Sequence, residues 1–168
     1  LLAGCKDGRI RLWDRASGKS LRTLEVPCDD RLHADTVACF SPDGKRVASA
    51  TREDGLRLWD IGTGECLHHR KKEGSGFDAD IVSLAFGKDG ALLAAARLDG
   101  TIHVMEPSSG RLVQTLRVEL AHPGSGDIEI LFTEDGKGLY TAGQGYMIRL
   151  WDVLTGKETA NAKLGYDD

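Results

Sequence analysis

Short stretches of alternating apolar and polar residues, separated by turn formers, run through this chain and predict strands rather than helices. Leu56-Arg57-Leu58-Trp59 alternates strictly. Residues 36–41 alternate as well and run into Ser41-Pro42-Asp43-Gly44. There Pro fixes φ at the second turn position and Gly supplies a positive φ at the last, which predicts a hairpin. A second strand is predicted over 46–51, and a turn at Glu53-Asp54-Gly55 leads to a third over 56–59. Asp60 can bond its own downstream backbone and Gly64 closes that turn, before a fourth, more polar strand over 65–69. A polar last strand suits a sheet edge, where charge discourages edge-to-edge association.

The plan repeats with a fixed period. Trp13-Asp14, Trp59-Asp60 and Trp151-Asp152 lie on a 46-residue grid whose vacant place is taken by Met105-Glu106. Gly18, Gly64, Gly110 and Gly156 keep the same interval, as do Phe40, Phe86 and Phe132, and the pairs Asp43-Gly44, Asp89-Gly90 and Asp135-Gly136. Strands are therefore predicted over 81–86, 92–96, 101–105 and 111–118, and again over 128–132, 138–142, 147–151 and 157–162. The first copy is incomplete, with strands predicted over 1–5, 9–13 and 20–26.

A four-stranded unit of this length with a Trp-Asp signature resembles the WD-repeat β-propeller family. The resemblance rests on Phe40-Ser41-Pro42-Asp43-Gly44 and Leu56-Arg57-Leu58-Trp59-Asp60 and covers essentially the whole chain. It implies an all-β fold of radial blades, each of four antiparallel strands. The expected division is an incomplete blade over 1–30 and blades over 31–76, 77–122 and 123–168, about 3.75 blades in all. The resemblance implies a ring of commonly seven blades. A chain that starts mid-strand and without Met is thus expected to be a fragment of a larger propeller. Closure by further repeats, closure by a second chain, and a small monomer are the open alternatives.

In the family, a polar network within a blade joins a His, a Ser or Thr, an Asp and the Trp. His33, Ser49 (or Thr51), Asp54 and Trp59 can supply it here, since a buried indole N–H needs an acceptor. The other blades depart from the pattern. Asp78 and Ser125 stand where the His should be, and Met105-Glu106 replaces Trp-Asp.

Composition narrows the function classes. A net charge of -4 and a pI near 5.7 argue against a general nucleic-acid or anionic-membrane binder. No apolar run is long enough for a membrane-spanning helix. The four cysteines show no zinc spacing and read as reduced thiols, which fits a cytoplasmic location. The opening Leu1-Leu2-Ala3-Gly4-Cys5 resembles a bacterial lipobox, but the same positions fill a repeat strand, and the strand reading is preferred. The basic run His68-His69-Arg70-Lys71-Lys72 reads as decoration of an outer strand.

No nucleophile motif, phosphate loop or zinc-protease helix is present, and each recurrent Asp has a turn role. No catalytic residue, cofactor or metal is expected. The expected function is a non-catalytic scaffold for a protein or peptide partner, binding neither nucleic acid nor membrane. The alternative is a regulatory or sensing propeller attached to an enzyme, such as a kinase or nucleotidase, encoded outside this chain. Recognition is expected on loops held by rigid strands, with Arg31, Arg52, Phe77, Arg97 and Tyr146 as the candidates because Arg and aromatics dominate interface energetics.

Overall fold

The computed structural model describes residues 2–4, 9–26, 36–51, 54–71, 80–120, 128–143 and 146–164. These residues form antiparallel sheets in which strand order follows chain order. The first sheet holds β1 (Leu2–Gly4), β2 (Arg9–Trp13) and β3 (Ser20–Glu25). The second holds β4 (Thr36–Phe40), β5 (Arg46–Thr51), β6 (Gly55–Asp60) and β7 (Cys66–Arg70). The third holds β8 (Ile81–Phe86), β9 (Leu93–Arg97), β10 (Thr101–Met105) and β11 (Leu112–Arg117). The fourth holds β12 (Glu129–Phe132), β13 (Gly138–Gly143), β14 (Met147–Asp152) and β15 (Glu158–Lys163).

The strands follow the predicted order, with small shifts at the ends of several of them. Residues 65 and 157 were expected inside strands. Instead their carbonyls accept the amides of Asp60 and Asp152 at 3.0 and 2.9 Å, so they close the preceding turn. The register between third and fourth strands slips beside Trp13, Trp59, Met105 and Trp151 alike. Such a bulge adds twist to the outer part of each sheet.

The two faces of each central strand serve different neighbours. Val47 and Trp59 of the second sheet are buried with Ile10, Leu12 and Leu24 of the first. Ala48, Ala50, Leu56 and Leu58, on the opposite face, are buried with Leu93, Ala95 and Met105 of the third. Ala94, Ala96, Ile102 and Val104 then pack against Ile130, Phe132, Leu139 and Trp151 of the fourth. The strict alternation seen in sequence is thus one face per neighbouring sheet. Strand β4 touches β8 and β8 touches β12, so the sheets converge along their first strands. Strand β15 is exposed throughout, whereas β7 and β11 are only partly so.

Polar clasps join the sheets with the same period. Arg22 donates to the carbonyls of Gly62 and Thr63 at 2.7 and 2.9 Å, in the turn after Trp59-Asp60. Gln114 likewise donates to the Leu154 carbonyl at 3.0 Å, in the turn after Trp151-Asp152. His68, between them in the repeat, lies over Gly110, where an added Cβ would stand 2.2 Å from its Nε2.

Candidate functional site

In the second sheet the indole of the repeat finds a hydroxyl acceptor. Trp59 Nε1 donates to Ser49 Oγ at 2.9 Å, and both residues are buried. Asp54, in the turn between β5 and β6, donates its backbone amide to Thr51 Oγ1 at 3.2 Å. Its carboxylate takes a two-pronged contact from Arg57 Nε and Nη2, the latter at 3.0 Å. Arg57 in turn lies 5.7 Å over the Trp59 ring. Donating to Asp54 also makes Arg57 hold its proton more firmly than usual. His33 lies outside the described residues. A different imidazole stands at this carboxyl group: His69 Nε2 is 2.9 Å from the Asp54 carbonyl and 3.2 Å from its Oδ1. Pairing of β7 with β6 sets His69 opposite Arg57, which brings it inward. The expectation that the whole basic run decorates the surface is corrected at this residue.

In the fourth sheet Trp151 Nε1 donates to Thr141 Oγ1 at 3.1 Å, repeating the Trp59–Ser49 bond. In the third sheet both partners change together. Met105 stands in place of the Trp and Ala95 in place of the Ser or Thr, and both are buried. No indole N–H is present there to need an acceptor, and no hydroxyl is stranded.

The recurrent carboxylates hold turns. Asp60 Oδ1 accepts the Thr63 amide at 2.7 Å, and Asp152 Oδ1 accepts the Thr155 amide at 2.7 Å. Asp14 does the same for Ser17, with its amide at 2.8 Å and hydroxyl at 2.6 Å. Asp43 and Asp135 accept the amides of Lys45 and Lys137 at 3.0 and 3.1 Å. Hydroxyl bonds from Ser17, Ser41 and Thr133 chiefly pull the Asp14, Asp43 and Asp135 carboxyls below their usual pKa range, and the Thr63 and Thr155 amides do so for Asp60 and Asp152. Among the described residues no group of His, Cys, Asp and Glu is arranged to hold a metal ion. No helix among them is long and apolar enough to cross a membrane.

Two of the five candidate recognition residues are described. Arg97 ends β9 and is partly buried. Tyr146 precedes β14, is 55% exposed, and has a φ of 55°, a conformation rare outside glycine. Both sit at turns between second and third strands, at the same end of their sheets. Arg31, Arg52 and Phe77 lie outside the described residues.

Sequence reasoning did not find the cleft between the second and third sheets. It is open to solvent and reaches down to Leu56, Ala95 and Met105. The Trp-to-Met exchange was visible in the sequence as a broken motif. The space it leaves depends on the facing sheet.

The family described as WD domain, G-beta repeat matches residues 18–60 and 64–105, half of the chain. This chain belongs to the WD-repeat family. Both matched stretches begin beyond β2 and end at Asp60 and Met105, so the repeat lacking Trp-Asp is matched as well. WD-repeat relatives include the small ribosomal subunit protein RACK1y of Oryza sativa subsp. japonica, 34% identical over 63% of this chain and 31% of that protein. The guanine nucleotide-binding protein subunit beta of Arabidopsis thaliana is 29% identical over 89% of this chain and 39% of its own length. The apoptotic protease-activating factor 1 of Rattus norvegicus is 27% identical over 95% of this chain and 12% of that protein. This WD-repeat chain therefore spans well under half the length of the relatives it matches.

Proposed function

We propose that this chain is a non-catalytic scaffold that binds a protein or peptide partner as part of a larger WD-repeat propeller. Family membership carries the reading, because two relatives are by name parts of larger assemblies, one a protein of the small ribosomal subunit and one the beta subunit of a guanine nucleotide-binding protein. The turn roles of the recurrent carboxylates agree with it. The net negative charge favours a protein partner over nucleic acid or an anionic membrane. The location proposed is the cytoplasm. The proposed blades are 1–30, incomplete, then 31–76, 77–122 and 123–168.

Completion of the ring draws support from the fourth sheet. Leu131, Tyr140 and Leu150 face one another across β12, β13 and β14. One period earlier the same places are held by Ala85, Ala94 and Val104, all buried beneath the fourth sheet. Leu131 is 65% exposed and Tyr140 41%, which leaves an apolar face suited to a further blade.

The test uses photo-reactive residues at Arg97 and Tyr146, with Lys45 and Lys137 at the opposite sheet ends as controls. Discrete protein adducts from the first pair alone support the reading. Adducts from neither pair, or equally from both, refute it. Solution mass separates the routes to closure: a dimer speaks for a second chain, and a monomer or aggregate that dissolves on Leu131→Glu speaks for further repeats.

A further inference from the structure

We propose that the cleft between the second and third sheets is a binding site for a partner peptide that presents an apolar side chain next to a carboxylate. The inference deepens the protein-binding reading above and rests on it.

The cleft exists because of a paired exchange. Trp59 and Trp151 each fill the interface with the preceding sheet and are tied to a hydroxyl on their own sheet. At the third sheet a thinner, flexible Met105 faces the second sheet, with Ala95 beside it. Loss of the indole and of its acceptor together leaves no unpaired polar atom, so the site is opened without a stranded group. Its floor is apolar: Leu56, Ile81, Ala95 and Met105. Met adapts its shape to varied apolar ligands, so the floor can yield to an entering side chain.

Among the described residues the charged groups at the rim are cationic. Lys71 and Arg97 line it from opposite sheets, and no carboxylate lines it among the described residues. Arg70 and His103 also border it, each with an interaction of its own. Low-dielectric walls below cationic groups focus positive potential at the mouth, although the whole chain is acidic. A purely apolar ligand would bring no counter-charge to Arg97 and Lys71. A small inorganic anion would leave the apolar floor wet. A ligand carrying both features satisfies both, and the guanidinium fork of Arg97 matches a carboxylate. That carboxylate can come from an Asp or Glu side chain or from a chain terminus.

The chain holds only two methionines, Met105 in the cleft and Met147 at the start of β14, so methyl NMR reads the site with an internal control. The probes are short Gly-Ser peptides bearing Leu-Phe beside a Glu pair, Leu-Phe beside a Gln pair, a Glu pair alone, or Leu-Phe at a free C-terminus. The Leu-Phe-Glu-Glu peptide or the free-terminus peptide should shift the Met105 methyl and leave Met147 in place; which of them does so identifies the source of the carboxylate. The Gln peptide and the Glu pair alone should bind at least about tenfold more weakly. The Ala95→Ser/Met105→Trp double variant restores the indole pair and fills the cleft. By fluorescence anisotropy it should lose about tenfold or more in affinity with no fall in its thermal midpoint. Should that variant fail to fold, Arg97→Gln and Lys71→Gln on the rim serve instead, each weakening binding and flattening its salt dependence.

Absence of any Met105 shift, unchanged affinity in the filled variant, or unchanged affinity in both rim variants overturns the proposal. Partner adducts at Tyr146, a label that leaves Arg97 in place, that survive filling the cleft would sink this site alone. Their absence from the wild-type chain would sink the broader reading.

Discussion

Trp59 donates its indole N–H to Ser49 Oγ at 2.9 Å, inside an interface sealed by Leu12 and Leu24 of the first sheet. One side chain thus ties its own sheet together and packs against the one before. Trp59→Phe keeps an aromatic ring but strips Ser49 of its donor and leaves a gap. The expected cost is about 2 kcal/mol. Met105→Leu conserves volume and breaks no hydrogen bond, so it should cost less than about 1.5 kcal/mol. Urea denaturation of the two variants checks this, and equal midpoints would contradict it.

Gly100 and Gly136 both sit at positive φ, +85° and +70°, yet they should respond differently to alanine. A Cβ on Gly136 meets nothing within 4 Å, so only the backbone preference opposes it, at about 1 kcal/mol. A Cβ on Gly100 would stand 2.4 Å from the Val118 carbonyl oxygen, next to the bond by which Val118 N–H donates to the Gly100 carbonyl. Backbone cannot step aside as a flexible side chain can, and Gly100→Ala should cost more than about 2 kcal/mol. Thermal melts of the pair decide it.

The turn carboxylates set a direction for acid sensitivity. Backbone bonds from Thr63 and Thr155 chiefly lower the Asp60 and Asp152 pKa values, and the Ser17, Ser41 and Thr133 hydroxyls chiefly lower those of Asp14, Asp43 and Asp135. Each carboxylate binds its proton less readily in the folded chain than in the unfolded one. Their stabilisation is complete above the unfolded value, near about pH 4, and is lost as pH falls through the lower folded values. The thermal midpoint should therefore drop below about pH 4. An Asp60→Asn/Asp152→Asn variant, which keeps acceptors in both turns, should show a shallower drop. A slope matching wild type would refute the assignment.

Cys39 and Cys66 should alkylate in a fixed order. Burial pushes the Cys39 thiol up to about 12, while Cys66 is exposed on β7. Since the thiolate is the nucleophile, iodoacetamide at about pH 8 should label Cys66 first and reach Cys39 mainly after denaturation. Peptide mass mapping reads the order directly, and early labelling of Cys39 would count against its burial.

The sequence by itself determined the strands, their order within each sheet and the turns between them. Those features are local: alternation picks a face, Pro42 and Gly44 shape a hairpin, and Asp60 captures an amide three residues on. It also exposed the break at Met105, because a 46-residue period makes a missing Trp conspicuous. What depends on two sheets meeting had to wait for the tertiary structure. His69 turned inward to Asp54 because strand pairing, not its own neighbours in the chain, sets its direction. The Trp-to-Met exchange likewise became a cleft only once the second sheet supplied Leu56 and Lys71 as the opposite wall. A repeat specifies each sheet from within, whereas the space between sheets is set by both of its walls at once, and residues far apart in the chain meet there only after folding.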